Sequence, residues 1–202
     1  MKIICIGRNY VDHIVELKNE RPVAPVVFLK PDTALLKDDT FFLPEFSADI
    51  HHEIEVVVKI GKAGKFIAPK FAHKYYDEVT VGIDFTARDL QQQLKQQGLP
   101  WEKAKAFDNS AVIGLFLSKN IFSSLENLNF TLLKNRTPVQ KGNTSLMLWK
   151  IDELIAYASQ YFTLKTGDLI FTGTPAGVAA IKAGDMLEGF LEENHLFSIQ
   201  VK

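Results

Sequence analysis

Alternating apolar and polar positions run through much of the chain and predict a β-rich protein. In residues 51–60, HHEIEVVVKI, every second side chain is apolar, which is the pattern of a strand with one buried face. Residues 79–85 alternate in the same way, and Asn135-Arg136 separates two short runs that predict a hairpin. The remaining predicted strands cover residues 2–6, 26–30, 130–134, 137–140, 169–171, 186–192 and 196–201.

Helical spacing of apolar residues is less frequent. It predicts short helices over residues 9–17 and 151–159. A third helix follows the second alternating strand, with Thr86 as its N-cap, Asp89 three residues later and Gly98 at its C-terminal end. Because strands outnumber helices, the pattern favours the α+β class with a dominant antiparallel or mixed sheet.

Composition narrows the possible functions. The 202 residues are 47% hydrophobic and 23% charged, which fits one domain over residues 1–202. The formal net charge is −1 with both signs interspersed, so we expect neither nucleic acid nor a membrane surface as a partner. The apolar run at residues 3–6 is too short for a signal sequence, and we expect a cytoplasmic protein. The lone Cys5 excludes an internal disulfide and is predicted to be buried in a strand.

Three carboxylates form a candidate metal site. Glu53 and Glu55 are two apart on a predicted strand, so both point from one face about 7 Å apart. Most strand glutamates simply face solvent, but Val57 continues this face and aligned like charges are unfavourable without compensation. Asp84, where a strand runs into a helix, offers a third oxygen ligand. A set of oxygen ligands alone favours Mg²⁺ or Mn²⁺.

Six strings occur in the order seen in a known family. They are GRNYVDHIVEL, FLKP, HHEIEVVVKIG, VGIDFTARDLQ, GLPWEKAKAFD and TGDLIFTGTPAGV. With these motifs the chain resembles the fumarylacetoacetate hydrolase family, and most of all its short single-domain acylpyruvase and oxaloacetate-decarboxylase branch. Six ordered motifs are far less frequent by chance than any one of them.

The resemblance implies a fold, a metal site and an assembly. The fold would be a mixed β-roll or sandwich with peripheral helices and a central cleft. The family's metal ligands correspond to Glu53, Glu55 and Asp84, the same three residues that the strand pattern suggests. The resemblance also implies a homodimer.

The resemblance implies further site residues. Lys105 of the WEKAK string would lie beside the metal and the reacting oxygen of the substrate. There, next to a metal and Arg88, its ammonium would be pushed toward deprotonation. Arg88 and Gln91, three apart on the predicted helix, would line the substrate pocket, and Thr174 would contact a substrate carboxylate. Without the resemblance, we would expect surface positions for Arg88, Gln91 and Lys105.

An N-terminal segment, residues 9–22, is predicted to be a mobile lid. His13 and Glu16 lie three apart on its helix, so that the carboxylate can orient the imidazole and raise its basicity. Such a pair is usually a surface contact, but the GRNYVDH string resembles the catalytic lid dyad of the family.

The implied activity is metal-dependent cleavage of a carbon–carbon bond in a short 2-oxo acid, by acylpyruvate hydrolysis or oxaloacetate decarboxylation through a metal-stabilised enolate. The alternatives on the same scaffold are an enol–keto tautomerase or isomerase of hydroxymuconate-type diacids and a sugar-acid dehydratase. A non-catalytic metal-binding protein is a further alternative, but it would be expected to have lost part of this residue set.

Overall fold

The computed structural model describes residues 1–18 and 20–202. Its strands are β1 (Ile3–Gly7), β2 (Val26–Lys30), β3 (Thr40–Phe41), β4 (Ile50–His52), β5 (Ile54–Ile60), β6 (Tyr76–Asp84), β7 (Thr86–Ala87), β8 (Ala111–Ile113), β9 (Leu117–Ser118), β10 (Asn129–Lys134), β11 (Thr137–Asn143), β12 (Leu169–Phe171), β13 (Ala179–Ala180), β14 (Met186–Leu191) and β15 (Asn194–Val201). Its α-helices are α1 (Val11–Glu16), α2 (Pro69–Ala72), α3 (Arg88–Gln97), α4 (Glu102–Lys105) and α5 (Ile151–Tyr161).

The strands form three sheets. A seven-stranded sheet has the order β2-β1-β12-β5-β6-β8, with β9 also paired to β6. A five-stranded sheet has the order β11-β10-β14-β15-β3, and a small sheet has the order β13-β4-β7. Pairing is antiparallel except between β1 and β12 and between β15 and β3. The chain therefore has the β-rich α+β fold that the sequence predicts.

The two larger sheets pack against each other through apolar side chains. Val56 and Val81 of the seven-stranded sheet and Leu132 and Leu187 of the five-stranded sheet belong to one buried cluster. The other face of the seven-stranded sheet is buried as well, in a smaller cluster that contains Cys5, Val57 and Phe171. Both faces of β5 are thus covered near its start, so the side chain of Glu55 is enclosed and does not face solvent.

Most predicted elements are confirmed to within two or three residues at their ends. The hairpin forms between β10 and β11, and Asn135 and Arg136 take φ values of 54° and 66° at its turn. Helix α3 ends at Gly98, whose φ of 66° is the left-handed conformation of a C-terminal cap. None of the helices in residues 1–18 and 20–202 has the length and apolar character that crossing a membrane requires.

Two predictions are wrong in detail. The predicted strand over residues 51–60 is broken at Glu53, because β4 pairs with β7 in the small sheet while β5 pairs with β6. Thr86 is not an N-cap: it lies in β7 opposite His51, and α3 begins after Ala87 without a side-chain cap. Asp89 accepts hydrogen bonds from Ser47 Oγ at 2.6 Å and from the Ala48 amide at 3.1 Å, both outside the helix, and from the Leu90 amide within α3 at 2.8 Å.

Candidate active site

Three buried carboxylates meet where β5 begins and β6 ends. Glu53 lies in the break between β4 and β5, Glu55 is the second residue of β5, and Asp84 is the last residue of β6. Their side chains are 4%, 2% and 1% exposed, and one oxygen of each lies within 4.8 Å of the others. The three predicted metal ligands are therefore close enough to bind a single ion.

Three cations surround this triad. The Lys105 ammonium lies 2.7 Å from Glu53 Oε2 and 2.7 Å from Asp84 Oδ2. It also donates to the Thr86 hydroxyl at 2.6 Å, which explains why that side chain does not cap the helix. Arg88 donates to the other oxygen of Glu53.

Lys30 lies at the candidate site but was not predicted from the sequence. It is 1% exposed, and its ammonium lies 2.7 Å from Asp84 Oδ1 and 2.9 Å from Ser110 Oγ. It also donates to the main-chain carbonyl of Lys105, so it contacts both a candidate metal ligand and the C-terminal end of α4. Its position in the FLKP string is a signal that could have identified it.

Lys105 and Arg88 lie nearer to Glu53 than to Glu55, and the pKa values of the two glutamates are therefore shifted in opposite directions. Burial acts to raise the pKa of Glu53, but the charges of Lys105 and Arg88 outweigh it and hold the pKa below its usual range. For Glu55, burial and the charges of Asp84 and Glu53 raise the pKa well above its usual value. Its oxygen accepts a hydrogen bond of 2.6 Å from the Gly173 amide. Glu55 is thus the carboxylate whose charge lacks compensation.

The expectation that a bound metal and Arg88 push Lys105 toward deprotonation stays a prediction, and the metal-free chain shows the opposite tendency. Burial acts to lower the pKa of Lys105, but the carboxylates of Asp84 and Glu53 outweigh burial and raise it above its usual value. Lys105 is a cation here, and its three N–H groups donate to Glu53, Asp84 and Thr86. The sequence-based expectation took a metal and Arg88 as the neighbours of Lys105, whereas two carboxylates contact it directly in the metal-free chain.

The residues present suit a divalent cation. All three candidate ligands are carboxylates, which are preferred by Mg²⁺ and Mn²⁺. Burial and then the proximity of two like charges raise the pKa of Glu55, and a cation bound between the carboxylates would oppose both effects.

His13 and Glu16 form the predicted pair at the edge of this site. His13 Nδ1 lies 3.4 Å from Glu16 Oε2, and the other oxygen of Glu16 accepts a hydrogen bond of 3.0 Å from the Gly177 amide. His13 is 5% exposed, and burial lowers its pKa below the usual value, so its imidazole is neutral at pH 7. Helix α1 therefore lies against the turn at residues 173–177 and places a neutral base in the cleft. Asn19, within the predicted lid at residues 9–22, lies outside the described residues.

The first residue of the predicted lid is a buried asparagine. Asn9 donates from Nδ2 to the Thr172 carbonyl at 2.7 Å and to the Trp149 carbonyl at 3.1 Å, and it accepts from the Trp149 amide at 2.9 Å. Gly173 has a φ of 103°, and a Cβ there would lie 2.7 Å from the Asn9 Cβ. The two segments approach so closely that only glycine fits.

One cleft is lined by most of the predicted site residues: His13, Glu53, Glu55, Asp84, Arg88, Gln91, Lys105 and Thr174. Glu16 acts from behind this lining through its contact with His13. Arg88 donates to Gln91 Oε1 at 2.6 Å, so the predicted pocket pair on α3 is in direct contact. The cleft is completed by residues that were not predicted, among them Arg8, Phe28, Lys95 and Trp101.

The cations of the cleft extend beyond the triad. Arg8 and Lys95 line the same cleft as Arg88 and Lys105. Burial, followed by the positive charges of Arg8 and Arg88, lowers the pKa of Lys95. Arg8 has a φ of 59°, an uncommon conformation for a residue with a side chain. A cleft with this lining favours anionic ligands.

The chain has a β-rich fold with a buried carboxylate triad in a cation-lined cleft. These features make it a candidate metal-dependent enzyme that acts on small anions. A family model described as "Fumarylacetoacetate (FAA) hydrolase C-terminal" matches residues 2–197, and the chain belongs to this family. The family resemblance inferred from the motifs is thereby confirmed.

Relatives with different named activities match almost the whole chain. It is 40% identical over 188 residues to the oxaloacetate tautomerase YcgM of Escherichia coli, covering 92% of this chain and 86% of that protein. It is 40% identical over 189 residues to the mitochondrial oxaloacetate decarboxylase of Dictyostelium discoideum, covering 93% and 87%. The crystal structure of fumarylpyruvate hydrolase from Pseudomonas aeruginosa in complex with Mn²⁺ and pyruvate superposes with a TM-score of 0.94 at 33% identity, covering 100% and 89%.

Proposed function

We propose that this protein is a divalent-metal-dependent enzyme that breaks a bond to carbon 3 of a short 2-oxo acid. The observation that carries the proposal is the buried triad of Glu53, Glu55 and Asp84 in direct contact with Lys105. Relatives named as oxaloacetate tautomerase, oxaloacetate decarboxylase and fumarylpyruvate hydrolase support the substrate class.

Charge balance supports an anionic substrate. The three carboxylates face three cations, namely Lys30, Lys105 and Arg88. With a divalent cation bound and all three acids ionised, the group would carry an excess of two positive charges. A ligand with a carboxylate and a second developing negative charge would offset this excess, as a 2-oxo acid does when it becomes an enolate.

Glu53, Glu55 and Asp84 would hold Mg²⁺ or Mn²⁺. When bound, such an ion supplies a Lewis acid that polarises the 2-oxo carbonyl. Lys105, the cation that touches two of the three ligands, would donate a hydrogen bond to the same carbonyl oxygen as its negative charge grows. His13, which lines the same cleft, would exchange a proton with carbon 3 or with water, since burial lowers the pKa of its imidazole.

In each candidate reaction negative charge develops on the oxygen of the 2-oxo group. The reactions differ in the group that leaves carbon 3. Hydrolysis of an acylpyruvate releases the acyl group to water as a carboxylic acid and leaves pyruvate. Decarboxylation of oxaloacetate releases CO₂ and needs no water. We propose carbon–carbon cleavage first, and enol–keto tautomerisation, in which only a proton moves, as the second candidate because a relative 40% identical is named for it.

A substrate panel tests the proposal. The protein is assayed with an acylpyruvate, with oxaloacetate for CO₂ release and with oxaloacetate for enol–keto exchange, each with millimolar Mg²⁺ or with chelator. At least one activity is expected with Mg²⁺, with loss on chelation and recovery when Mg²⁺ is restored. Glu53→Gln should lack it, whereas Glu102→Gln, at an exposed position on α4, should retain it. Full activity after exhaustive chelation contradicts the proposal.

A further inference from the structure

Gln140 is a buried residue of β11 that joins the two walls of the cleft. It is 2% exposed and lies between the start of β5 and the turn that carries Thr174. Its side chain does not line the cleft itself, so its effect on a ligand would pass through the groups that it holds.

Both ends of the Gln140 amide are fully engaged. Oε1 accepts from the Ile54 amide at 3.0 Å and from His52 Nδ1 at 2.9 Å. Nε2 donates to the Thr174 hydroxyl at 2.9 Å and to the Pro175 carbonyl at 3.0 Å. A main-chain amide can only donate and a carbonyl can only accept, so these partners fix which end of the side chain is oxygen and which is nitrogen.

This orientation fixes the role of the Thr174 hydroxyl. Its oxygen already accepts from Gln140, and a hydroxyl has one proton to donate. No acceptor for that proton appears among residues 1–18 and 20–202. Thr174 is 3% exposed and lines the cleft beside the carboxylate triad, so the proton is available to a bound ligand.

We propose that Gln140 is a positioning residue, which holds Thr174 as a hydrogen-bond donor to the carboxylate of the ligand. The inference rests on the proposed function, in which the cleft takes a 2-oxo acid. It adds that affinity for the carboxylate depends on a side chain of the five-stranded sheet that does not touch the ligand. Metal affinity depends on it much less, because the hydrogen bonds of Gln140 go to His52, Ile54, Thr174 and Pro175 and to none of the three carboxylates.

Gln140→Glu keeps the hydrogen-bond acceptor of the side chain and removes its donor. An introduced carboxylate oxygen can still accept from Ile54 and His52, but the other oxygen replaces the nitrogen donor. The Thr174 hydroxyl would then donate to that oxygen and could no longer donate to a ligand. The same change at Gln200, an exposed position on β15, is the matched control.

Oxalate, a stable dianion that imitates the reacting end of a 2-oxo acid, is the probe. Its affinity for the full chain with saturating Mg²⁺ is measured by calorimetry, and Mn²⁺ affinity is measured without oxalate. Gln140→Glu should weaken oxalate binding about 10- to 100-fold, the range for a hydrogen bond to a charged group. Mn²⁺ affinity should change by less than about threefold, and Gln200→Glu should change neither.

Gln140→Met, which removes the nitrogen donor without burying a charge, is the second variant if Gln140→Glu does not fold. Each Gln140 variant and Thr174→Val should weaken oxalate binding, and Thr174→Ser should retain it. Thr174→Val combined with the Gln140 variant that folds should show no further loss. Oxalate affinity unchanged in Thr174→Val, or additive losses in the double variant, would overturn the inference. If the unaltered protein does not bind oxalate with Mg²⁺, the proposed function itself fails and the inference fails with it.

Discussion

The Asp84 amide donates a hydrogen bond of 2.9 Å to the carbonyl oxygen of Glu53. This bond continues the antiparallel pairing of β5 and β6 past the Ile54–Ile83 pair. Two candidate metal ligands that are distant in sequence are thereby placed opposite each other by the main chain. Their side chains can be changed without removing the pairing that positions them, so the energetic role of each carboxylate can be measured separately.

We predict opposite effects on stability for Glu55→Gln and Asp84→Asn in the metal-free protein. Glu55 is buried beside two like charges, so replacing it removes repulsion and should leave the melting temperature unchanged or higher. Asp84 pairs with both Lys30 and Lys105, and its loss leaves buried cations undercompensated at a cost on the order of 3 kcal/mol.

Thermal unfolding with chelator and with millimolar Mg²⁺ measures both effects. The unaltered protein should gain stability with Mg²⁺, since an ion that binds only the native state stabilises it. Both variants should lose this gain, and Glu102→Gln should keep it. If Glu55→Gln lowers metal-free stability as much as Asp84→Asn does, the proposed repulsion at Glu55 is refuted.

The sequence predicts the strands well because their signal is local. Alternation around Val56 and Val81 reflects one buried face of each strand, and that pattern is visible in a short window. The break at Glu53 is invisible in the same window, because the alternation continues across it. It is set by pairing of β4 with β7 and β5 with β6, which involves residues far along the chain.

The residues of the candidate site also fall into those that the sequence could predict and those that depend on distant contacts. The carboxylates could be predicted because three acids near strand ends suggest an ion, and the motifs supplied the remaining predicted residues. Gln140 could not, and Lys30 could be identified only through its place in the FLKP string, since a lone lysine or glutamine on a strand is most often exposed. Their burial depends on long-range partners, Asp84 for Lys30 and Thr174 for Gln140.

We predict that amide exchange within residues 11–18 slows when oxalate and Mg²⁺ bind. Helix α1 is a short helix, which is marginal by itself, and Glu16 is its contact with the turn at Gly177. Asn9, by contrast, is already buried and hydrogen-bonded, so protection near it should not change.

Glu16→Gln should speed exchange of this segment without ligand, because an amide oxygen accepts from Gly177 more weakly than a carboxylate does. Asp12→Asn, at an exposed position on the same helix, is the control. Equal protection with and without ligand would show that the segment does not act as a lid.

We predict that Asp168 makes a pH-dependent contribution to stability. It directly precedes β12 and binds Lys2, which directly precedes β1. Its carboxylate accepts from the Lys2 amide at 3.0 Å and from the Lys165 amide at 2.7 Å, and it pairs with the Lys2 ammonium. Burial acts to raise the pKa of Asp168, but these donors outweigh burial and lower it. A lowered pKa stabilises the fold above the unfolded value of about 4, and this stabilisation is lost as pH falls through the folded value.

Asp168→Asn should therefore reduce the free energy of unfolding at pH 7 by about 2 kcal/mol, the range for lost hydrogen bonds to a charged group. Urea unfolding from about pH 7 to pH 3 should show this difference shrinking below about pH 4. Asp38→Asn, at an exposed position, should show little effect. A difference that stays constant over the whole pH range would exclude the charge as its source.

The last prediction separates reactions that use the same charged oxygen. Hydrolysis of an acylpyruvate needs an activated water, whereas decarboxylation of oxaloacetate needs no nucleophile. If His13 is the base, His13→Ala should lower kcat for hydrolysis about 10²- to 10⁴-fold and kcat for decarboxylation less. Lys105→Ala should lower both, because both reactions develop charge at the oxygen that Lys105 would contact.

Comparison of kcat with kcat/KM is essential, because His13 also belongs to the segment that would close the cleft. Loss of closure alone would weaken binding of every substrate and raise KM, whereas loss of a base lowers kcat at saturation. Lys103→Ala, at an exposed position on α4, controls for the loss of a positive charge near Lys105. If His13→Ala lowers kcat equally for an acylpyruvate and for oxaloacetate, His13 is not the water-activating base. Its role would then be a proton transfer common to both reactions or the anchoring of α1 over the cleft.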